Sequence, residues 1–121
     1  MSASNVLKFM KEKEVEFVDL RFTDPRGKLQ HLTMDHTIVD EEMINDGVFF
    51  DGSSIAGWKA INESDMILKP DTSRLVMDPF TSHNTLILFC DILDAVKRTP
   101  YERDPRGTAK KAEEYLKNIW Y

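Results

Sequence analysis

The apolar positions change period several times along the chain, and each change marks an element. Across residues 4 to 13, Val6, Phe9 and Met10 recur at helical spacing with lysines and Glu12 between them, which predicts a short amphipathic helix with Ser4 able to cap its first turn. From Val15 to Phe22 the period is two: Val18, Leu20 and Phe22 fall on one face and Asp19 and Arg21 on the other, as in a half-buried strand. Asp24-Pro25-Arg26-Gly27 has the residues of a tight turn, with Asp to bond its own backbone and Pro to preset the second position. Lys28 to Met34 then returns as the second strand of a hairpin. Val39 to Asp46 reads as a short helix that starts near Asp40, carries acids in its first turn and ends at Asp46-Gly47.

Further on, Met66 to Lys69, Arg74 to Met77 and Thr85 to Leu93 are strand-like, with Pro70, Pro79 and Ser82-His83-Asn84 marking the connections. Asp104-Pro105 opens a last helix, Asp as the cap and Pro at the first helical position. Its apolar stripe of Ala109, Ala112 and Leu116, widened by Tyr115, Ile119 and Trp120, has little of the chain left to cover it beyond the preceding domain. Five strands and one crossing helix in a small unit predict an α+β fold of the β-grasp (ubiquitin-like) type, a mixed sheet covered on one face, with N-terminal and C-terminal helices added.

Composition narrows the function classes. At 121 residues and 41% hydrophobic, the chain suits one domain with an ordinary core. Its formal charge of −5 is interleaved along the whole length with no basic block, so a nucleic-acid partner is not expected. Lys8, Lys11 and Lys13 interrupt any signal-peptide core, and no apolar run approaches the roughly 20 residues of a membrane helix. A cytoplasmic location away from membranes is the expectation. The lone cysteine, Cys90, lies in an apolar run and reads as a buried thiol. His31, His36 and His83 lack metal-ligand spacing and read as solvated or structural.

Candidate chemistry concentrates between Phe49 and Trp58, where Asp51, Ser53 and Ser54 sit on a small-residue loop flexed at Gly52 and Gly57 and bracketed by large aromatics. The loop lacks the lysine and spacing of a P-loop, and Asp51 would repel phosphate. Two readings stay open on residue types alone. In one, Asp51 makes an Asx-type turn with Ser53 or Ser54 while Trp58 fills the local core. In the other, the carboxylate and neighbouring oxygen acceptors hold a cation with N–H donors, such as ammonium, and favour its charged form. Asn62-Glu63-Ser64-Asp65 adds two carboxylates that suit either a solvated turn or interface contacts.

Phe50 to Trp58, followed by Ile61-Asn62-Glu63-Ser64-Asp65-Met66, closely resembles the N-terminal signature of bacterial type I glutamine synthetase. Phe17 to Asp24 resembles the family's first hairpin strand, Asp78-Pro79-Phe80 and Cys90-Asp91-Ile92-Leu93 its later strands, and Arg103-Asp104-Pro105-Arg106 the start of its first catalytic-domain helix. The resemblance implies a ligase that makes glutamine from glutamate, ammonia and ATP through a γ-glutamyl phosphate, with Mg or Mn, in a dodecamer whose active sites lie between neighbouring subunits. By position, it gives Asp51 the binding and deprotonation of ammonium and places Ser54 beside it. Ser53, Trp58, Glu63 and Asp65 become substrate-site or interface residues. Ala56 stands where the family often has a second glycine.

The family chain continues past Leu116 into metal, ATP and glutamate sites, whereas this sequence stops at Asn118-Ile119-Trp120-Tyr121. The resemblance therefore implies a β-grasp domain over residues 1–102 and, over 103–121, the first helix of an otherwise missing catalytic domain. No metal ligand, cofactor or activity is expected of the chain by itself, whose partners would be neighbouring synthetase subunits and ammonium at the shared site. The alternative is a shortened, non-catalytic paralogue that binds full-length synthetase and modulates it.

Overall fold

A computed structural model describes residues 1–52 and 65–120. Six strands form one sheet in the order β2-β1-β6-β4-β3, with β5 added beside β6: β1 is Phe17–Thr23, β2 Leu29–Asp35, β3 Val48–Asp51, β4 Asp65–Pro70, β5 Val76–Met77 and β6 Thr85–Asp94. Three α-helices accompany them, α1 Ala3–Glu12, α2 Glu41–Asp46 and α3 Pro105–Trp120, with a 3-10 turn at His36–Ile38. The sheet is mixed. β1 runs parallel to β6, pairing Phe17 with Thr85 through Arg21 with Phe89, and every other pairing is antiparallel.

β6 is long enough to serve two half-sheets. Its first half, Thr85 to Phe89, pairs with β1, and its second, Cys90 to Asp94, pairs with β4. The β1-β2 hairpin turns about Asp24, whose buried carboxylate accepts from the backbone N–H groups of Arg26 and Lys28, both at 2.9 Å, and from Gln30 Nε2. A side chain that replaces backbone partners in this way is what the Asp-Pro-x-Gly sequence provides. Gly27 completes the turn at a φ of 84°.

One face of the sheet carries the core. Val18, Leu20 and Phe22 of β1, Met66 and Leu68 of β4, and Leu86, Leu88, Cys90 and Ile92 of β6 pack with Ala3, Val6 and Met10 of α1 and Ile44 of α2. Burial pushes the Cys90 thiol up to about 12, so it is an inert part of that core.

The fold is thus the expected α+β, β-grasp-like arrangement, with four corrections. The chain has six strands rather than five among its described residues, because Val48–Asp51, read as the start of a loop, is a strand. The cover on the core face is shared by α1 and the short α2. Ser2, not Ser4, caps α1, its hydroxyl accepting from the Asn5 N–H. Asp65 opens β4 instead of lying in a solvated turn. Asp40 does cap α2 as expected, accepting from the Met43 N–H at 2.8 Å. No helix among the described residues is long and apolar enough to cross a membrane.

Candidate functional site

The site is built on β3, which stands last in the strand order and, among the described residues, pairs with β4 alone. Val48 and Phe50 turn toward the core, Phe50 against Phe22 with ring centroids 5.4 Å apart, so Phe49 and Asp51 take the opposite face, where both are exposed. Phe49 is 61% exposed, a large apolar surface next to a carboxylate on this strand. The alternation of Val48 and Phe50 with Phe49 and Asp51 was the strand signal, and the aromatic pair followed by Asp51-Gly52 masked it as a loop.

Across the ladder Asp51 stands directly opposite Asp65, with Phe50 opposite Met66 and Phe49 opposite Ile67. Directly opposed side chains stand about 5 Å apart at Cβ, and like charges so placed repel. The pairing therefore sets two carboxyl side chains next to each other on this exposed corner of the sheet. Spacing along the chain does not reveal this juxtaposition, which needs the β3-β4 register. Of the residues named from the sequence, Asp51 and Asp65 are brought together. Ser53, Ser54, Trp58 and Glu63 lie outside the described residues.

The path into the strand is tight. Gly47 has a φ of 85°, and a Cβ there would stand 2.5 Å from Ile67 Cγ2 and 2.6 Å from the Leu68 carbonyl oxygen. Only glycine fits both the backbone angle and the space. The end of α2 is also held from outside the helix, by Lys69 Nζ on the Ile44 carbonyl at 3.0 Å and Arg98 Nη1 on the Asp46 carbonyl at 3.2 Å. Neither residue is marked by any sequence pattern.

A second polar cluster occupies the first half-sheet. Asp19 accepts from Arg21 Nε at 2.8 Å and from Thr33 Oγ1 at 3.0 Å and meets His31 Nδ1 at 2.8 Å, and Arg21 reaches on to Asp78 at 3.0 Å. Burial raises the Asp19 carboxyl, but the bonds from Arg21, His31 and Thr33 outweigh it and hold the group below its ordinary value. These residues satisfy one another, and His31 is at once exposed and bonded. His83 likewise meets Glu16 at 3.1 Å.

No group of three or more His, Cys, Asp or Glu among the described residues is arranged to hold a metal ion.

The family model described as glutamine synthetase, beta-Grasp domain, matches residues 14–95. A glutamine synthetase of Rhizobium meliloti (strain 1021) is 66% identical over 116 residues, which are 96% of this chain and 25% of that protein. One of Escherichia coli (strain K12) is 55% identical over 118 residues, 98% of this chain and 25% of that protein. Among solved structures, a cryo-EM structure of Plasmodium falciparum glutamine synthetase aligns with a TM-score of 0.86 at 25% identity, covering 98% of this chain and 23% of that one. The chain spans about a quarter of the length of the curated relatives it matches.

Proposed function

This chain belongs to the glutamine synthetase family through its β-grasp domain, and from that premise we propose that it supplies Asp51 to the ammonium site of a glutamate-ammonia ligase. The observation that carries the reading is the exposed Asp51 at the end of β3 with Asp65 directly opposite. Ammonium offers four N–H donors and one positive charge, and a carboxylate accepts the first and stabilises the second. Once a proton passes from ammonium to a carboxylate oxygen, the ammonia lone pair is free to attack the acyl carbon of γ-glutamyl phosphate, forming the amide as phosphate departs. Ser54 is assigned to the same site, and Ser53, Trp58, Glu63 and Asp65 to its rim or to the subunit contact.

In this reading residues 1–102 form the β-grasp domain and 103–121 begin the catalytic domain of a longer cytoplasmic protein, assembled as a dodecamer in which Asp51 and Ser54 serve the active site of the neighbouring subunit. ATP and Mg or Mn belong to that catalytic portion, where the metal neutralises phosphate charge. The test is Asp51→Asn in a full-length synthetase carrying this sequence. Ammonia-dependent glutamine formation should fall about 100-fold or more, with a higher KM for ammonium. Unchanged ammonium kinetics would remove Asp51 from the site.

A further inference from the structure

Two cations and one glycine close on the C-terminal end of α2. Gly47 N–H takes the carbonyl of Met43 at 2.8 Å, Lys69 that of Ile44 and Arg98 that of Asp46. The last turn of a helix leaves its carbonyls without intrahelical donors and carries partial negative charge, so cations are stabilised there. In a helix of six residues this end is half of the element.

The donors come from separate places. Lys69 lies on β4, the strand that pairs with β3, and Arg98 lies in the turn that follows β6. Arg98 holds a φ of 55°, a region disfavoured for residues with a Cβ, and its N–H is tied to the Asp94 carbonyl at 2.8 Å. The contacts close a ring: α2 leads through Gly47 into β3, β3 pairs with β4, and Lys69 of β4 returns to α2. A one-residue slip of β3 would turn Asp51 to the core face and away from Asp65. That slip requires the end of α2 to move, which Lys69 and Arg98 oppose from two sides.

We propose that Lys69 and Arg98 are positioning residues for ammonium use: by holding the end of α2 they fix β3 so that the Asp51 carboxylate stays opposite Asp65. The proposal rests on Asp51 acting at the ammonium site. Neither cation is assigned contact with substrate, so both act through the backbone that leads to Asp51.

The experiment compares Lys69→Met, Arg98→Met and Lys69→Arg with Asp51→Asn in the full-length synthetase. The methionine variants keep the apolar stems and lose the charge. Each should raise the KM for ammonium about tenfold while the KM values for glutamate and ATP stay within about twofold, and Lys69→Arg should restore most of the loss. A cap that serves stability alone would instead lower active enzyme and leave all three KM values in place. That result, or a parallel change in all three, overturns the proposal. Arg98 is exposed, so Arg98→Met decides the matter if Lys69→Met fails to assemble. Normal ammonium kinetics in Asp51→Asn would overturn the underlying reading, whereas an effect there with none in the methionine variants would overturn the positioning role alone.

Discussion

Gly47 and Gly27 share nearly the same backbone angle, φ of 85° and 84°, but very different surroundings. A Cβ at Gly27 meets nothing within 4 Å, while one at Gly47 strikes both a side chain and a backbone oxygen of β4. Gly27→Ala should therefore cost only a positive-φ backbone penalty, about 1 kcal/mol, and Gly47→Ala about 3 kcal/mol or more, because its ψ of −176° puts it in a region open essentially to glycine alone and overpacking adds to that cost. Urea midpoints of the two variants check this, and equal losses would mean that β3 and β4 separate freely at that point. At the residue scale the sequence was informative where chemistry is local. Asp24, Asp40 and Asp104 each accept from a backbone N–H two or three residues ahead, and their positions before Pro or Glu announce it. Lys69 and Arg98 act on a carbonyl 25 and 52 positions away, where no local pattern exists to read.

Among the elements, α3 has the least conventional attachment. None of its residues is buried, and Tyr115, Leu116, Ile119 and Trp120 are exposed, so polar contacts hold it at its first turns. Asp104, buried just before it, accepts from Arg106 N–H at 3.1 Å and from Ile92 N–H of β6 at 3.2 Å, joining the helix cap to the sheet. Arg106 spans Asp71 and Asp91, and Lys110 also reaches Asp91. Burial raises the Asp71 carboxyl, but bonds from Ser73 and Arg106 overcome this and hold it well below its ordinary value. A carboxylate whose folded pKa is depressed adds stability above its unfolded value, here 3.8, and loses it as pH falls toward the folded one. Arg106→Met should thus raise amide exchange across 105–120 at neutral pH while leaving β1 and β6 protected, since a helix of this length is marginal without support. In the unmodified chain the same segment should loosen on acidification below about pH 4, and uniform exchange across helix and sheet would refute the clamp. The start of this helix was legible from Asp104-Pro105, as were the hairpin and α2. The strand β3 was not, because four residues ending in Asp-Gly resemble a turn until their partner strand is known.

For the molecule as a whole, the site reading has a direct consequence. A chain that spans about a quarter of the length of the synthetases it matches should show no glutamate- and ammonia-dependent release of ADP from ATP when purified by itself. A coupled assay showing such release would defeat that expectation. Mixing the chain with intact synthetase tests the paralogue reading: stable incorporation with altered activity would support a modulating module, and no association would exclude it. The α+β class was visible in the changing periods of the sequence, but the strand order was not, since the parallel match of β1 with β6 joins opposite ends of the domain. That match also orders events in time. Phe17 cannot meet Thr85, nor Arg21 meet Phe89, until nearly the whole domain has left the ribosome. The hairpin and the first helix must wait with their apolar faces uncovered, and contacts of such long sequence separation form slowly. A nascent chain whose β6 has not yet left the ribosome is therefore a natural client for a chaperone, and one with β6 released is not.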